Sequence, residues 1–404
     1  MAPRNDRGGR VDALITPVPA PRARPSIGDV DFARAPFIVI WETTQACDLA
    51  CLHCRASARP NRDRGELTTH EAKNLLGTVR TFGRPLFVLT GGDPLKRPDT
   101  VELVRYGTEL GLRMAMTPSG TPLMTPDVIR ELRAAGLARL AVSLDGSCAA
   151  IHDRFRGVNG SFDWTVQMIR AARGMGLTTQ INTTISRHNI DDVDALILLM
   201  QEMGVSLWSV FFIVPTGRAR AEDLATAEEF ERVFHRLYDL SKTAPFDIKT
   251  TAAPHYRRVI MQRQRAERRA GTRTAAPSPM TGGIGFSLAD GVGRAKGVND
   301  GDGFVFISHR GDIYPSGFLP VSAGNVRRDN LVDVYRTHPL FRRLRDRDAL
   351  RGKCGACEYR TVCGGSRARA YAMTGDVLAS DPLCAYVPPA YARSLHTTDH
   401  APTP

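Results

Sequence analysis

The sequence predicts an α/β protein, with a parallel sheet that is open or curved into a partial barrel, followed by a small cysteine-rich domain. Three observations support this fold class. Short β-rich apolar runs alternate with amphipathic helical stretches between Pro36 and Pro215. Three cysteines follow the first apolar run at C-x3-C-x2-C spacing. Four more cysteines lie close together between residues 354 and 384.

Six apolar runs are candidate strands. They read FIVIWETT, LFVLTGG, LRMAMTPS, LARLAVSLDG, TTQINTTIS and LWSVFFIVP. The helical patterns between them include PDVIRELRAAG and FDWTVQMIRAARGMG, which end in Gly as a helix C-terminus often does. Strands that alternate with helices form parallel sheets, and parallel sheets bind ligands at the carboxyl ends of their strands. The polar and Gly residues of these runs lie at those ends, so we expect the functional site there.

The rest of the chain is less regular. The segment FVFISHRGDIYPSGFLP predicts a β-hairpin that turns at Arg310–Asp312. The predicted units are a disordered basic arm (1–35), the strand–helix domain (36–240), a linker helix with a Gly-rich loop (241–303), the cysteine-rich domain (304–390) and a tail (391–404).

The composition is that of an ordinary globular protein. Hydrophobic residues make up 42% of the 404 residues and charged residues 24%. No run approaches the roughly 18 apolar residues of a membrane helix, and the N-terminus lacks the apolar core of a secretory signal. Clustered cysteines without such a signal indicate a reducing cytoplasm and metal ligation rather than disulfides.

The net charge of +12 is concentrated in the N-terminal arm and in the segment His255–Arg273, which has seven Arg and one Glu. This segment fits either a solvated helix face with a basic loop, or a surface that attracts an acidic substrate. A substrate-facing lid is a further hypothesis for it. The segment has no interleaved aromatics, which disfavours nucleic acid as a partner.

The cysteines at 47, 51 and 54 indicate iron–sulfur chemistry. A structural zinc site requires four ligands, whereas three thiolates on one loop fit a cubane cluster with one open iron. A C-x3-C-x2-C loop after the first strand resembles the radical S-adenosylmethionine (SAM) enzymes. The resemblance implies that Cys47, Cys51 and Cys54 bind a [4Fe–4S] cluster whose fourth iron is chelated by SAM. It also places His53 where an aromatic side chain packs near the adenine.

Motifs at other strand ends extend the resemblance to a SAM pocket. LTGGDP matches the family's Gly-Gly-Glu motif with Asp in place of Glu, which implies that Gly91, Gly92 and Asp93 receive the methionine ammonium. The remaining candidates by resemblance are Ser119, Ser143 and Asp145 for the ribose and methionine, Arg156 for the carboxylate, and Asn182 with the segment from Val214 to Ala219 beside the adenine.

The C-terminal cysteines form a second set, with C-x2-C-x5-C spacing and a late fourth member. They are Cys354, Cys357, Cys363 and Cys384. A zinc-ribbon-like site is one interpretation. The stretch also resembles the SPASM domain, which implies one auxiliary [4Fe–4S] cluster. Ser316 and Ser366 stand where a second auxiliary cluster would need cysteines, so none is predicted there. Cys148 is predicted to be a small packing residue at the start of a helix.

Together these resemblances cover most of the chain and imply a partial (β/α)6 barrel of the TIM type followed by a SPASM-like domain. They imply reductive cleavage of SAM to a 5′-deoxyadenosyl radical, which abstracts hydrogen from the substrate. Electrons would come from a reductase or a flavodoxin-type donor, and the auxiliary cluster would exchange electrons with the substrate radical.

The substrate remains open between a small molecule and a peptide. The cysteine-rich stretch looks closer to the heme-maturation members of the family, which alter propionates of tetrapyrroles, than to peptide maturases. The alternatives are a peptide- or protein-modifying maturase and a non-catalytic iron–sulfur redox or zinc-binding module. The sequence identifies no catalytic acid, base or radical quencher.

Overall fold

The computed structural model of the chain describes residues 31–272 and 297–398. Most of the predicted arm, the Gly-rich loop from 273 to 296 and the end of the predicted tail lie outside these ranges. Among the helices of the described ranges, none has the length and the apolar character needed to cross a membrane.

The described residues contain one nine-stranded sheet with the order β7-β6-β5-β4-β3-β2-β1-β8-β9. Its strands are β1 (Ile38–Glu42), β2 (Leu86–Thr90), β3 (Arg113–Met116), β4 (Arg139–Ser143), β5 (Thr178–Ile185), β6 (Leu207–Phe212), β7 (Asp247–Thr251), β8 (Phe304–Ile307) and β9 (Ile313–Tyr314). All neighbours from β7 to β8 run parallel, and β9 is antiparallel to β8.

The helices are α1 (Thr69–Arg80), α2 (Thr100–Glu109), α3 (Pro126–Ala134), α4 (Ala149–Arg156), α5 (Ser161–Gly174), α6 (Val193–Met203), α7 (Ala227–Leu240), α8 (His255–Arg269), α9 (Leu331–Thr337), α10 (Pro339–Arg345), α11 (Gly352–Gly355), α12 (Arg367–Thr374) and α13 (Pro389–Thr398). Local sequence explains several of their ends. Thr68 and Glu71 form a capping box at the start of α1, and Gly157 ends α4 in the left-handed conformation.

The six predicted strands are present and parallel, which confirms the α/β class. The hairpin predicted at Arg310–Asp312 is also present as β8 and β9. The sequence did not predict that β8 pairs in parallel with β1, from Ile38 opposite Phe304 to Trp41 opposite Ile307. The cysteine-rich region therefore shares a sheet with the barrel strands, and the domain boundary within residues 241–303 stays a prediction.

The main core lies between the sheet and its helices. Val39 and Trp41 of β1 are fully buried in it, together with Leu75 and Leu76 of α1. Because side chains alternate along a strand, Glu42 lies on the opposite face of the sheet from Trp41. The face opposite the helices is therefore the one on which polar side chains of the strands meet.

Most of the basic segment, His255–Arg269, forms the packed helix α8. Arg258 is buried and donates to Glu231 at 2.6 and 2.8 Å, while Arg257 donates to the carbonyls of Val298 and Val362. These arginines hold the helix against α7 and the cysteine-rich region. Arg257 and Arg258 are therefore used in packing, and the substrate-facing lid stays a hypothesis for the rest of the segment.

A buried ion pair joins two segments of the cysteine-rich region and also contacts the strand–helix domain. Arg369 of α12 and Asp381 are both fully buried, and two hydrogen bonds of 3.0 and 2.9 Å join them. Asp381 also accepts from the amide of Ser366, and Arg369 donates to the carbonyl of Ile213 just after β6. The pair therefore spans the contact between the two parts of the fold.

We expect Arg369→Gln to lower the free energy of unfolding by about 3 kcal/mol, because it removes the guanidinium partner of a buried carboxylate. Urea denaturation followed by tryptophan fluorescence and circular dichroism measures the change. Arg343→Gln is the control, since Arg343 is exposed on α10. Equal midpoints for the two variants would contradict the structural role of the pair.

Candidate active site

The triad loop, residues 43–58, follows β1 and lies against the carboxyl end of β2. The amide of Gly92 donates to the carbonyl of Thr44 at 2.8 Å, and the amide of Asp93 donates to the carbonyl of Ala46 at 2.6 Å. A Cβ at Gly91 would lie 2.5 Å from the oxygen of Thr44, and one at Gly92 would overlap the oxygen of Ala46. The two glycines are therefore required to seat the triad loop, a role that sequence reasoning did not assign to them.

Each sulfur of the triad has a polar neighbour. Cys47 Sγ lies 3.2 Å from Ser119 Oγ and accepts from the amide of Leu49, Cys54 Sγ accepts from the amide of Ala58, and Cys51 Sγ lies 3.6 Å from Arg156 Nη1. Cys47 and Cys51 are buried, whereas Cys54 is half-buried. Sulfurs surrounded by N–H and O–H donors are the arrangement found at iron–sulfur clusters.

The electrostatics of the triad favour a positively charged occupant. Burial raises the pKa of the Cys47 thiol to about 11. Burial also raises the pKa of Cys51, although Arg156 opposes the rise. A metal centre deprotonates such thiols by supplying positive charge. The triad thus fits an iron–sulfur cluster in its donors and its charge requirement.

Arg156 and Asp145 form a buried ion pair beside the triad. Asp145 Oδ1 also accepts from the amide of Thr184 at 2.6 Å, which connects the end of β4 to β5. Burial alone would lower the pKa of Arg156. The negative charges of Asp145 and Cys51 raise this pKa by more than burial lowers it, so the guanidinium stays charged. The structure therefore brings Arg156 to the triad, with part of its hydrogen-bonding capacity used by Asp145.

His53 stacks on Phe155, with 4.2 Å between ring centroids and 8° between the ring planes. Its Nε2 lies 4.0 Å from Asp145 Oδ2. Burial, followed by the charges of Arg156 and Arg218, holds the pKa of His53 well below its usual value. His53 is therefore a neutral, flat side chain next to the triad, which suits stacking rather than proton transfer.

Asp93 and Ser119 also lie beside the triad loop. Ser119 Oγ donates to the carbonyl of Gly92 at 2.9 Å. Asp93 is fully buried, and its carboxylate accepts from Thr121 Oγ1 at 2.8 Å and from the amide of Leu95 at 3.2 Å. Both oxygens of Asp93 thus have partners within the protein, so its side chain supports the turn after β2.

Three other predicted residues lie farther along the sheet. Ser143, the last residue of β4, is opposite Asn182 within β5, and Asn182 Oδ1 accepts from Gln180 Nε2 at 2.7 Å. Val214 packs with Leu319 and Cys354 of the cysteine-rich region. The structure therefore places Val214 at the contact between the two regions of the protein.

The segment from Val214 to Ala219 reaches the triad through its later residues. The amide of Arg218 donates to the carbonyl of Cys54 at 3.0 Å, and its Nε donates to the carbonyl of Cys51 at 2.9 Å. A Cβ at Gly217 would overlap the oxygens of Cys54 and Arg55. Sequence reasoning included this segment but did not single out Arg218, although a Gly-Arg pair after a strand end was a visible signal.

A charged group around Glu42 was missed altogether. Glu42 ends β1 and is buried, with Arg55 Nη2 at 3.6 Å and His309 Nδ1 at 3.4 Å. Burial raises the pKa of Glu42, but Arg55 and His309 lower it more, so the net pKa is lowered. The Arg55 guanidinium also stacks on Phe306. A charged residue at the end of an apolar strand was the only local signal for this group.

The four cysteines of the second set line one shared cavity. Cys354, Cys357, Cys363 and Cys384 line it together with His255 and Arg258. Three of the sulfurs accept backbone amides: Cys354 from Asp381, Cys357 from Tyr359 and Cys363 from Gly365, at 3.4–3.5 Å. The four sulfurs, amide donors and nearby cations fit a second iron–sulfur cluster in the same way as the triad.

The serines that replace further cysteines have local roles. Ser366 Oγ accepts from the amide of Arg369 and caps α12, while Ser316 Oγ accepts from the amide of Phe318. Cys148 is exposed at the start of α4. The expectation that Cys148 is a packing residue is therefore wrong, and the cause is its place at a solvent-facing helix cap.

Comparisons with known proteins agree with this geometry. The family model described as "Radical SAM superfamily" matches residues 41–200. The chain is 41% identical to an AdoMet-dependent heme synthase of Methanosarcina barkeri, over 89% of this chain and 99% of that protein. It is 29% identical to an Fe-coproporphyrin III synthase of the same organism, over 86% of this chain and 87% of that protein.

Two further similarities are to a maturase and to a solved structure. The chain is 30% identical to the mycofactocin maturase MftC of Mycobacterium tuberculosis, over 90% of this chain and 86% of that protein. The solved structure of Streptococcus suis SuiB bound to SAM has the same fold, with a TM-score of 0.64 and 16% identity over 87% of this chain and 78% of that one. From its family match and its near-full-length relatives, the chain belongs to the radical SAM superfamily of enzymes.

Proposed function

We propose that this radical SAM enzyme acts on an iron tetrapyrrole that carries propionate side chains, in the formation of heme. The observation that carries the proposal is the 41% identity to an AdoMet-dependent heme synthase over 99% of that protein. The net charge of +12 suits a substrate with several carboxylates. We expect the enzyme to work in the reducing cytoplasm. A reductase or a flavodoxin-type protein would supply the electrons for SAM cleavage.

In this proposal Cys47, Cys51 and Cys54 hold the cluster that binds SAM. When bound and reduced, that cluster supplies the electron that cleaves SAM to methionine and a 5′-deoxyadenosyl radical. Arg156 offsets negative charge at Cys51, to which it donates a long hydrogen bond. The carboxyl ends of the strands, under the triad loop, form the region in which radical chemistry would be kept from water.

The proposed SAM contacts come from the family resemblance, and the arrangement around the triad supports some of them. His53 presents a neutral ring for the adenine, and Arg156 stays charged to receive the methionine carboxylate. Arg218 joins it as a candidate, because its Nη2 is buried and has no hydrogen-bond partner among the described residues. The other proposed contacts are Gly91, Gly92, Asp93, Ser119, Ser143, Asp145 and Asn182, with Val214 beyond them.

The four C-terminal cysteines hold one auxiliary [4Fe–4S] cluster in this proposal. The amide–sulfur contacts of Cys354, Cys357 and Cys363 and the cavity that they share with Cys384 support the assignment. The hydroxyls of Ser316 and Ser366 accept hydrogen bonds from nearby backbone amides, and neither residue supplies a thiolate. This supports two clusters in the protein, one at each cysteine set.

Anaerobic reconstitution tests the cluster assignment. We expect about eight irons and eight sulfides in the wild type, falling to about four in Cys47→Ala/Cys51→Ala/Cys54→Ala with loss of 5′-deoxyadenosine formation. Cys148→Ala is the matched control and keeps both values, because this exposed cysteine lies outside the two sets. About twelve irons in the wild type would mean that a third cluster exists, and iron-free protein would refute both assignments.

The substrate is tested with Fe-coproporphyrin III, SAM and a strong reductant under anaerobic conditions. We expect 5′-deoxyadenosine formation to rise with the tetrapyrrole, and mass spectrometry to show loss of CO₂ and hydrogen as propionates become vinyl groups. The triad variant serves as the control and leaves the tetrapyrrole intact. Uncoupled SAM cleavage with an unchanged tetrapyrrole would contradict the proposed substrate while leaving the radical SAM assignment in place.

A peptide substrate is the second candidate, and the 30% identity to a mycofactocin maturase over 90% of this chain favours it. The discriminating assay uses peptides encoded near the gene in place of the tetrapyrrole. A mass change in such a peptide, with none in Fe-coproporphyrin III, would select this function.

The seating of the triad loop gives a separate prediction. We expect Gly92→Ala to reduce the iron content from about eight to about four, since the added Cβ overlaps the carbonyl of Ala46 and displaces the loop. Gly77→Ala is the control, because a Cβ there meets nothing within 4 Å. Circular dichroism verifies that both variants are folded, and full iron content in Gly92→Ala would disprove the steric argument.

A further inference from the structure

Arg367 is a fully buried arginine beside the second cysteine set. Its Nη1 donates to the carbonyls of Val377 at 3.0 Å and Ala379 at 2.7 Å, and its Nη2 donates to Cys354 Sγ at 3.5 Å. It forms no salt bridge with a carboxylate in residues 31–272 and 297–398. Arg369, two residues later, instead forms two hydrogen bonds with Asp381.

A buried cation without a carboxylate partner is costly unless another negative group compensates it. Carbonyl oxygens carry only partial charges, so they compensate a guanidinium incompletely. Arg367 Nε donates to a third carbonyl, that of Gly365, at 3.4 Å. The partner of Arg367 that is not a carbonyl is Cys354, one of the four cysteines that line the cavity. The placement of Arg367 is therefore explained if the cysteine set carries net negative charge, as a cluster held by four thiolates does.

The contact between Arg367 and Cys354 depends on Gly365. Gly365 has a φ of +65°, and a Cβ there would lie 2.5 Å from Arg367 Nη2 and 3.0 Å from Cys354 Sγ. The glycine thus provides both the left-handed backbone and the space that the guanidinium occupies. The guanidinium is held rigidly, because two carbonyls fix one end of it and the sulfur lies at the other.

Other cations near the cavity are differently placed. Arg258 pairs with Glu231, Arg360 pairs with Asp348 at the surface, and His255 lies 3.3 Å from Asp381. Arg257 donates to the carbonyls of Val298 and Val362. Arg367 is therefore the cation that combines complete burial, no carboxylate partner and direct contact with a cysteine sulfur in the described residues.

We propose that Arg367 raises the reduction potential of the auxiliary cluster through its charge and its hydrogen bond to Cys354. A cluster gains one negative charge on reduction, so a fixed buried cation stabilises the reduced form more than the oxidised form. Hydrogen bonds to cluster sulfurs act in the same direction. The inference rests on the proposed auxiliary cluster. It assigns to Arg367 the role of making that cluster a better electron acceptor.

The test is a redox titration followed by electron paramagnetic resonance, in the Cys47→Ala/Cys51→Ala/Cys54→Ala background so that only the auxiliary cluster is observed. We expect Arg367→Gln to shift the midpoint potential to a more negative value with iron content unchanged at about four. The matched control is Arg360→Gln, which lines the same cavity but is partly exposed and paired with Asp348. Its midpoint is expected to shift by less than that of Arg367→Gln.

Arg367→Lys keeps the charge but loses the fork that bonds the carbonyls and the sulfur together. We expect its midpoint potential to lie between those of the wild type and Arg367→Gln. If Arg367→Gln takes up no iron, Arg367→Lys decides the question: a lowered potential supports the proposal and an unchanged one overturns it. An unchanged potential in iron-replete Arg367→Gln also overturns it. Failure of the background protein to bind about four irons would instead refute the auxiliary cluster itself.

Discussion

The site depends on the close seating of one loop against the carboxyl end of a parallel sheet. The triad loop meets β2 through backbone hydrogen bonds from Gly92 and Asp93, where neither glycine position leaves room for a side chain. On the opposite side, Arg218 after β6 donates to the carbonyls of Cys51 and Cys54. Residues that follow two different strands of the sheet, β2 and β6, therefore hold the two ends of the triad loop, which limits where the loop can place its cysteines.

The second cysteine set is fixed to the same framework. β8 pairs with β1, which leads directly into the triad loop, and Arg369 connects α12 to the end of β6. Val214 packs at this contact as well. Because these connections start from the two strands that hold the triad, the distance between the two cysteine sets is set by one sheet rather than by a linker.

Much of this arrangement could be predicted from the sequence, because strand periodicity and cysteine spacing are local signals. The six strands, the hairpin and the grouping of each cysteine set followed from such signals. The pairing of β8 with β1, and the group formed by Glu42, Arg55 and His309, join residues more than 250 positions apart, which no local pattern records. The role of Gly92 in seating the triad loop was missed for the same reason, because the loop backbone that it contacts is distant in the sequence.

The parallel pairing of β8 with β1 has a consequence for biosynthesis. Until residues 304–307 leave the ribosome, β1 has only one neighbour and its other edge presents unpaired backbone groups. β1, the strand that leads into the first cysteine set, therefore gains its second neighbour only after β8 has been synthesised. Nascent chains that carry only the barrel strands hold an open edge beside three thiols, so iron delivery before synthesis ends would meet an unfinished and aggregation-prone acceptor.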